Sequence, residues 1–281
     1  MNMKLIVESG ATKSDWRLIA DGGVQVAREL AEGMNISTME ISSIEIILNE
    51  TGRKIKEAAS ETVTSVHFYT AGVITESADK RLRTVLGGIF IGAEIELQTD
   101  LVAAARAVCG RKPGIAAILG TGSNSCQWDG EKIVKRIYSG GFILGDEGGA
   151  ATLGRLFLAD YLKGLVPEPI AADFASRYDA TYAGIVKNVY RSQSPSGYLG
   201  SLAPFIMEHY EDPYIKSLVE DNIRAFFRRC ILQYDADVPV GIIGGFGYAL
   251  KETVSRIACE EGVKISGFLQ CPIDGLIQYH V

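Results

Sequence analysis

Short apolar runs alternate along the chain with stretches of helical period, and this alternation outlines the architecture. Leu5 to Val7 is an apolar run; a polar turn follows, then Trp16 to Ile19, Asp21-Gly22-Gly23, and Val24 to Leu30. The pattern predicts a meander of three strands joined by tight turns. Ser37-Thr38-Met39-Glu40 has capping-box spacing, and Ile41, Ile44, Ile47, Leu48, Thr51 and Ile55 follow at helical period. Val66 to Tyr69 then reads as a strand, Leu82 to Ile89 as a helix, Glu94 to Gln98 as a strand and Leu101 to Val108 as a helix. The expected order is β-β-β-α-β-α-β-α.

The second half opens on Ile115 to Leu119, an unbroken apolar run of the kind covered on both faces. Ser125 to Trp128, Asp129-Gly130 and Lys132 to Tyr138 complete a second meander. Helices are expected over much of 149–233. The clearest starts at Asp212-Pro213, a cap residue with proline in the first turn. Val240 to Ile243 returns to strand, Tyr248 to Cys259 to helix and Val263 to Ser266 to strand, before a short closing helix. Gly10 stands six positions before Trp16 and Gly122 six before Trp128, and each tryptophan is followed by an Asp-Gly turn. This likeness predicts duplication of one β-β-β-α-β-α unit, with a hinge near Gly110 to Gly114.

Composition narrows the class of protein. Of 281 residues, 47% are hydrophobic, enough for a sizeable core, so a disordered chain is excluded. The formal charge of -6 argues against a sequence-independent nucleic-acid binder, which needs a cationic face. No apolar run is long enough for a signal peptide or a membrane span. Five cysteines without a CxxC pair suit reduced thiols and a cytoplasmic location. His67, His209 and His280 are far apart and read as structural, so imidazole ligation of a metal is not expected. The 31 glycines exceed the usual level of roughly 7% and cluster in short loops, where backbone can approach a ligand closely.

In open α/β sheets, ligands bind beyond the carboxyl ends of the strands. Five predicted strands end in small or polar loops: Glu8 to Lys13, Thr70-Ala71-Gly72, Thr99-Asp100, Gly120 to Asn124, and Gly244 to Gly247. In a duplicated fold these loops would share one cleft. Gly120-Thr121-Gly122-Ser123-Asn124 offers successive N–H groups and small polar side chains, which suits phosphate. A polar hairpin turn has the same look in isolation; the matching position of Gly10 to Ser14 tips the reading toward phosphate. The GxxxxGK[ST] spacing of a P-loop is absent, and Gly244-Gly245-Phe246-Gly247 is not GxGxxG. Its glycines fit either a tight β-α turn or a surface for adenosine. Asp100 opens a helix, where an aspartate serves as a cap or, if Thr99 does the capping, as a general base. Gly140 to Gly149 surrounds Asp146 and Glu147 with glycine. Acidic groups there suit a helix start, and equally the paired hydroxyls of a polyol.

These segments together resemble the sugar kinase, heat-shock chaperone and actin superfamily, and within it the N-acetylglucosamine kinases and the BadF/BadG/BcrA/BcrD-type ATPases. The resemblance covers nearly the whole chain. It rests on Ser9-Gly10-Ala11-Thr12-Lys13-Ser14-Asp15-Trp16, on Gly120-Thr121-Gly122-Ser123-Asn124, on Gly145-Asp146-Glu147-Gly148 and on Gly244-Gly245. It implies an α/β fold of two ribonuclease H-like (actin-like) lobes, over 1–110 and 111–281, with ATP and Mg²⁺ in the central cleft. The closing segment 272–281 is expected to pack back on the first lobe. By the same resemblance, Asp100 matches the base that deprotonates the acceptor hydroxyl. Gly10, Thr12, Lys13, Gly120, Thr121, Gly122, Gly244 and Gly245 match nucleotide contacts. Asn35, Ser123, Gly141 and Asp146 match sugar contacts, and Glu8 the metal-organising carboxylate. The partner implied is a small sugar, phosphorylated by ATP, with a homodimer as the family's analogy.

Two departures qualify it. The family's first loop normally begins with Asp, where this chain has Glu8, whose extra methylene shifts the carboxylate by about 1.5 Å. Ser139-Gly140-Gly141-Phe142 departs from the aromatic usual within those glycines, which bears on the identity of the sugar. Two other functions share the nucleotide loops: an ATPase that activates a dehydratase through a cysteine-held iron–sulfur cluster, and a nucleotide-binding regulator with weakened catalysis.

Overall fold

The computed structural model describes residues 2–10, 13–36, 39–72, 74–192, 194–235 and 237–281. The chain divides into two compact units: Met1–Lys112 with Asp129–Ile133 and Cys271–Val281, and Pro113–Trp128 with Val134–Gln270.

The first unit is built on β1 (Met3–Ser9), β2 (Lys13–Ile19), β3 (Gln25–Glu32), β4 (Val63–Thr70) and β5 (Glu94–Thr99), in the order β3-β2-β1-β4-β5. The hairpins make β1, β2 and β3 antiparallel, whereas β4 and β5 run parallel to β1. Parallel pairs need a crossover: α1 (Ile41–Ala58) leads from β3 to β4 and α2 (Glu76–Ile89) from β4 to β5, while α3 (Asp100–Cys109) follows β5. Alternation along β1 sends Leu5 and Val7 into a core with Ile44, Leu48, Leu82 and Leu86 of α1 and α2. Ile6 faces the opposite way, packing with Tyr69, Ala103 of α3, and Ile273 and Leu276 near the C-terminus.

The second unit repeats the plan with β6 (Gly114–Leu119), β7 (Ser123–Trp128), β8 (Ile133–Ile137), β9 (Val240–Ile243) and β10 (Ile265–Leu269), ordered β10-β9-β6-β7-β8. Read from the meander outward, both sheets have the sequence 3-2-1-4-5. The fold is α/β, a duplicated ribonuclease H-like unit. The connection from β8 to β9 is long: α4 (Gly141–Leu144), α5 (Ala150–Tyr161), α6 (Glu168–Arg177), α7 (Tyr182–Tyr190), α8 (Pro195–Ser201), α9 (Ala203–Glu208) and α10 (Pro213–Arg229). Phe157, Phe174 and Phe205 meet at ring separations of 5.2 to 5.8 Å and are the centre of that layer. Then come α11 (Gly245–Ala249), α12 (Lys251–Glu260) and finally α13 (Ile273–His280).

Several local expectations shift. The helix expected over Tyr248 to Cys259 begins earlier, after Gly244, and breaks at Leu250 into α11 and α12. The strand expected at Val263 to Ser266 starts at Ile265, because Val263 N–H is spent on Ala258 C=O and Gly262, at φ 73°, ends the helix. Helix α1 has Glu40 at its N-cap without a side-chain bond, and the Ser37-Thr38 part of the expected capping box lies outside the described residues.

The two tryptophans that suggested duplication are not equivalent. Trp16 pairs with Val7, three-quarters of the way along β1, whereas Trp128 pairs with Gly114 at the start of β6. The hairpins align Ser14 with Ser123, since these face Ser9 and Leu119 at the two turns. The duplication is real; the glycine-to-tryptophan spacing is coincidence.

Helix α13 packs within the first unit. A β-carbon on Gly275 would stand 2.6 Å from Ala107 O, so the glycine permits close approach to α3. His67 and His280, distant in sequence, stack with ring centroids 3.7 Å apart. His280 Nε2 lies 2.7 Å from Tyr69 Oη, which also accepts from Arg106 at 2.7 Å. Glu96 pairs with His67 Nδ1 at 2.8 Å and with Arg106 at 2.7 Å. Reading the histidines as isolated missed this cluster. His67, Glu96 and His280 have metal-ligand spacing, but Arg106 on the carboxylate makes the group an ion-pair network hostile to a further cation.

Candidate functional site

In the first unit, Ser9, Thr70 and Thr99 end β1, β4 and β5 in one row, since Ser9 faces Thr70 and Thr70 faces Thr99. The residues just beyond form the carboxyl rim of the parallel strands. Two buried hydroxyls seat the incoming segment there: Met34 N–H donates to Ser9 Oγ at 2.7 Å, and Thr70 Oγ1 donates to Met34 C=O at 2.7 Å. Asn35 then bridges to Ala71, and Ile36 N–H donates to Ala71 C=O at 3.1 Å. Asn35 is therefore brought to the rim, half-buried.

Thr99, and not Asp100, caps α3: its Oγ1 accepts from Val102 N–H at 3.4 Å. That leaves Asp100 as the first helical residue, half-buried at the end of β5. Glu8 shares the face of β1 with Ile6, on the side covered by α3 and α13. Burial pushes its carboxyl up to about 7, with Lys13 opposing and the charges of Asp100 and Asp15 adding to the rise. Asp15 is already spoken for, by Arg17 at 2.6 Å and Arg28 at 2.9 Å. Glu8 and Asp100 thus stand at the carboxyl ends of β1 and β5, with β4 between the two strands, and each offers the carboxylate oxygens that divalent cations take. Gly10 N–H donates to Lys13 C=O at 3.0 Å and closes the first hairpin; Thr12 lies outside the described residues.

In the second unit, Gly120 N–H donates to Gly122 C=O at 2.9 Å, and the hairpin docks on the start of α5. Ala150 N–H donates to Gly120 C=O at 3.0 Å and Ala151 N–H to Thr121 C=O at 2.8 Å. Ser123 is 6% exposed and its hydroxyl has no partner among the described residues. Beside it stands Asp146, which accepts the Ser123 N–H and the Ser139 hydroxyl; burial raises its carboxyl above the usual range despite both bonds, and Glu147 adds to the rise. Asp146 is the one non-glycine with positive φ among the described residues, at 54°, a conformation that persists only when its surroundings fix it. Its N–H donates to Ser139 C=O at 2.9 Å, while Thr152 Oγ1 donates to its C=O at 2.8 Å.

Neither acidic residue acts as a helix cap. Gly149 is the N-cap of α5, and Glu147 pairs with Arg229 at 2.8 Å. Gly141, at φ 70°, opens the single turn α4 with clear space around its α-carbon. Gly244 has φ 118° and would, with a β-carbon, come within 2.4 Å of Leu119 C=O; Gly245 beside it is exposed and unobstructed. The residue that sequence reasoning missed is Asn222 on α10, 3% exposed. It accepts from Gly148 N–H at 2.9 Å and donates to Gly149 C=O at 3.2 Å. The signal was present as a lone amide on the apolar face of Ile215, Val219, Ile223 and Phe226.

Two sheets of identical order, with glycine-rich and acidic turns at the carboxyl ends of their parallel strands, define an actin-like ATPase fold. No protein-family model and no curated protein sequence matches the chain. Among solved structures, a candidate N-acetylglucosamine kinase from Porphyromonas gingivalis is 38% identical, covering 99% of this chain and 98% of its own, with a TM-score of 0.91. The chain belongs to the N-acetylglucosamine kinase-like family of the sugar kinase, heat-shock chaperone and actin superfamily. A second candidate N-acetylglucosamine kinase, from Chromobacterium violaceum, is 18% identical over 99% of this chain and 98% of its own, with a TM-score of 0.77. A ROK family glucokinase from Streptomyces griseus, solved with glucose and AMPPNP, shares the fold at 14% identity, covering 99% and 97%, with a TM-score of 0.59. Among the described residues, no helix is long and apolar enough to cross a membrane.

Proposed function

We propose that the protein is an ATP-dependent kinase of N-acetylglucosamine or a related amino sugar. The observation that carries the reading is that Thr99 performs the capping of α3, so that Asp100 stands at the end of β5 as a half-buried carboxylate beyond the cap. Kinship over the full length with the Porphyromonas gingivalis protein supports the same reading. In this reaction Asp100 takes the proton of the acceptor hydroxyl, the hydroxyl oxygen attacks the γ-phosphorus, and the bond to the β-phosphate oxygen breaks to release ADP.

Glu8, assisted by Asp100, would hold the Mg²⁺, which supplies neutralisation of charge on the phosphates. Lys13 and the hairpin at Gly10 and Thr12 contribute phosphate contacts, as do Gly120, Thr121 and Gly122; Gly244 and Gly245 offer backbone to adenosine. Asn35, Ser123, Gly141 and Asp146 receive the sugar, and the unpartnered hydroxyl of Ser123 supports that assignment, because a buried hydroxyl without a partner is costly until a ligand supplies one. The glucose and AMPPNP bound by the Streptomyces griseus enzyme are the ligand classes this fold accommodates in a relative. A coupled assay of ADP release across amino sugars and hexoses tests the proposal. Release stimulated by an N-acetylated amino sugar is expected; ATP binding without sugar-stimulated release would instead indicate a nucleotide-binding regulator.

A further inference from the structure

We propose that Asn222 is a positioning residue for the sugar half of the site, setting Asp146 and the Gly120–Gly122 hairpin in a common register through the Gly148–Gly149 turn. The inference rests on the functional reading above but is carried by packing in the second unit. A buried amide is unfavourable unless its groups are paired, and leucine of similar volume would serve a helix–helix core without that demand. Asn222 is buried in the apolar layer of α10, and both ends of its amide reach past that layer to one turn. They meet Gly148 N–H and Gly149 C=O.

That turn is squeezed from two sides. A β-carbon on Gly148 would stand 2.8 Å from Phe226 Cβ, so the turn lies directly on α10. A β-carbon on Gly149 would stand 2.8 Å from the Gly122 carbonyl carbon, so the same turn lies directly on the hairpin. Gly149 N–H in turn donates to Asp146 C=O at 3.0 Å. Releasing the amide frees the turn to move, and with it both the strained backbone of Asp146 and the hairpin that places Ser123. Asn222 touches no substrate in this arrangement; it acts through the turn.

The test compares Asn222→Leu, Asn222→Asp and a destabilising control on the same helix, Ile223→Val, which has no bond to the turn. Sugar KM, kcat and backbone hydrogen exchange are measured well below the melting temperature. Asn222→Leu is expected to raise sugar KM at least tenfold and to accelerate exchange at both 120–123 and 145–149, leaving β6 protected. Ile223→Val should change neither by more than twofold. Asn222→Asp should approach wild-type sugar KM as the pH falls, because a protonated carboxyl restores the donor to Gly149. Loosening confined to 145–149, or sugar KM within twofold of wild type in Asn222→Leu, overturns the proposal and makes Asn222 a core residue only. Absence of sugar turnover in the wild type would count against the kinase reading alone. The joint exchange response of the two segments would still decide the role of Asn222.

Discussion

Asp146 Oδ2 stands so close to Gly122 that a β-carbon on the glycine would lie 2.6 Å from it. Glycine is required there by space and not by its dihedral angles. Gly122→Ala must displace either the carboxylate or the hairpin, and overpacking of this kind costs about 1–3 kcal/mol. On the proposed role of Asp146 in receiving sugar hydroxyls, at least a tenfold loss in kcat/KM for the sugar is expected, read by steady-state kinetics beside a thermal melt. Wild-type kinetics in a normally folded Gly122→Ala protein would remove Asp146 from the site.

Thr99 caps α3, and the proposed function gives Asp100 the separate task of general base. Asp100→Asn leaves the Thr99 cap in place, so stability should change by less than about 0.5 kcal/mol. Turnover should fall by about 10²- to 10⁴-fold, the usual contribution of a general base, with ATP affinity retained. Thr99→Ala should do the reverse in kind, costing about 1 kcal/mol of stability through the lost cap. The contrast between the two variants, in melts and in ADP release, checks the division. Unchanged turnover in Asp100→Asn would leave the reaction without its base.

Much of this site was legible because glycine, small hydroxyls and carboxylates stand out against apolar strands. The order of elements β-β-β-α-β-α followed from the alternation of apolar runs and helical period, and of the two caps the sequence offered at Thr99-Asp100 it is Thr99 that serves. What escaped was tertiary. Trp16 and Trp128 match in spacing and differ in height, because Gly10 opens the first turn, four positions before Ser14, whereas Gly122 closes the second, one position before Ser123. The partnership of His67 with His280 depends on where α13 docks, which no local pattern states. Asn222 was visible as an anomaly in a helical stripe, but its purpose lay in a turn far along the chain.

Glu8 makes the metal-free protein sensitive to pH in an unusual direction. Its carboxyl is raised from 4.5 to about 7 by burial, then by Asp100 and Asp15, against the pull of Lys13. Below pH 4.5 both folded and unfolded states carry the proton, and Glu8 contributes nothing. As the pH rises from 4.5 to 7 the unfolded chain releases it first, so folding loses stability, by up to about 3 kcal/mol above pH 7. Glu8→Gln should recover much of this at pH 8 and none at pH 4, measured by denaturant melts in chelator. On the proposed metal role of Glu8, Mg²⁺ should raise the stability of the wild type and leave that of the variant unchanged. Parallel stability–pH curves for the two proteins would show that Glu8 ionises freely.

The C-terminal helix should respond to acid with the opposite sign. Burial, with His67 and Arg106 adding to it and Lys4 contributing, pushes His280 down to about 3 from 6.5; Glu96 only partly offsets them. Lys4 Nζ also donates to His280 C=O, tying the charge to the same helix end. A depressed histidine is neutral when folded, whereas the unfolded chain takes up a proton below 6.5. Stability is therefore intact above that pH and falls as the pH drops below it, by about 1–2 kcal/mol at pH 5 given the partial exposure of the site. Glu96 acts in the same sense at lower pH. Burial alone would raise its carboxyl, but hydrogen bonds from His67 and Arg106 hold it well below the usual range. Its stabilisation is present above 4.5 and is lost in stronger acid. His280→Gln keeps a polar partner for Tyr69 without a titrating group, so its stability should be flatter than wild type between pH 6.5 and 5. Proteolysis of α13 should follow the same curve, with cleavage near Cys271 appearing in the wild type at pH 5 before the rest of the chain is cut. If the two proteins lose stability in step across that range, His280 is not the group that loosens the helix.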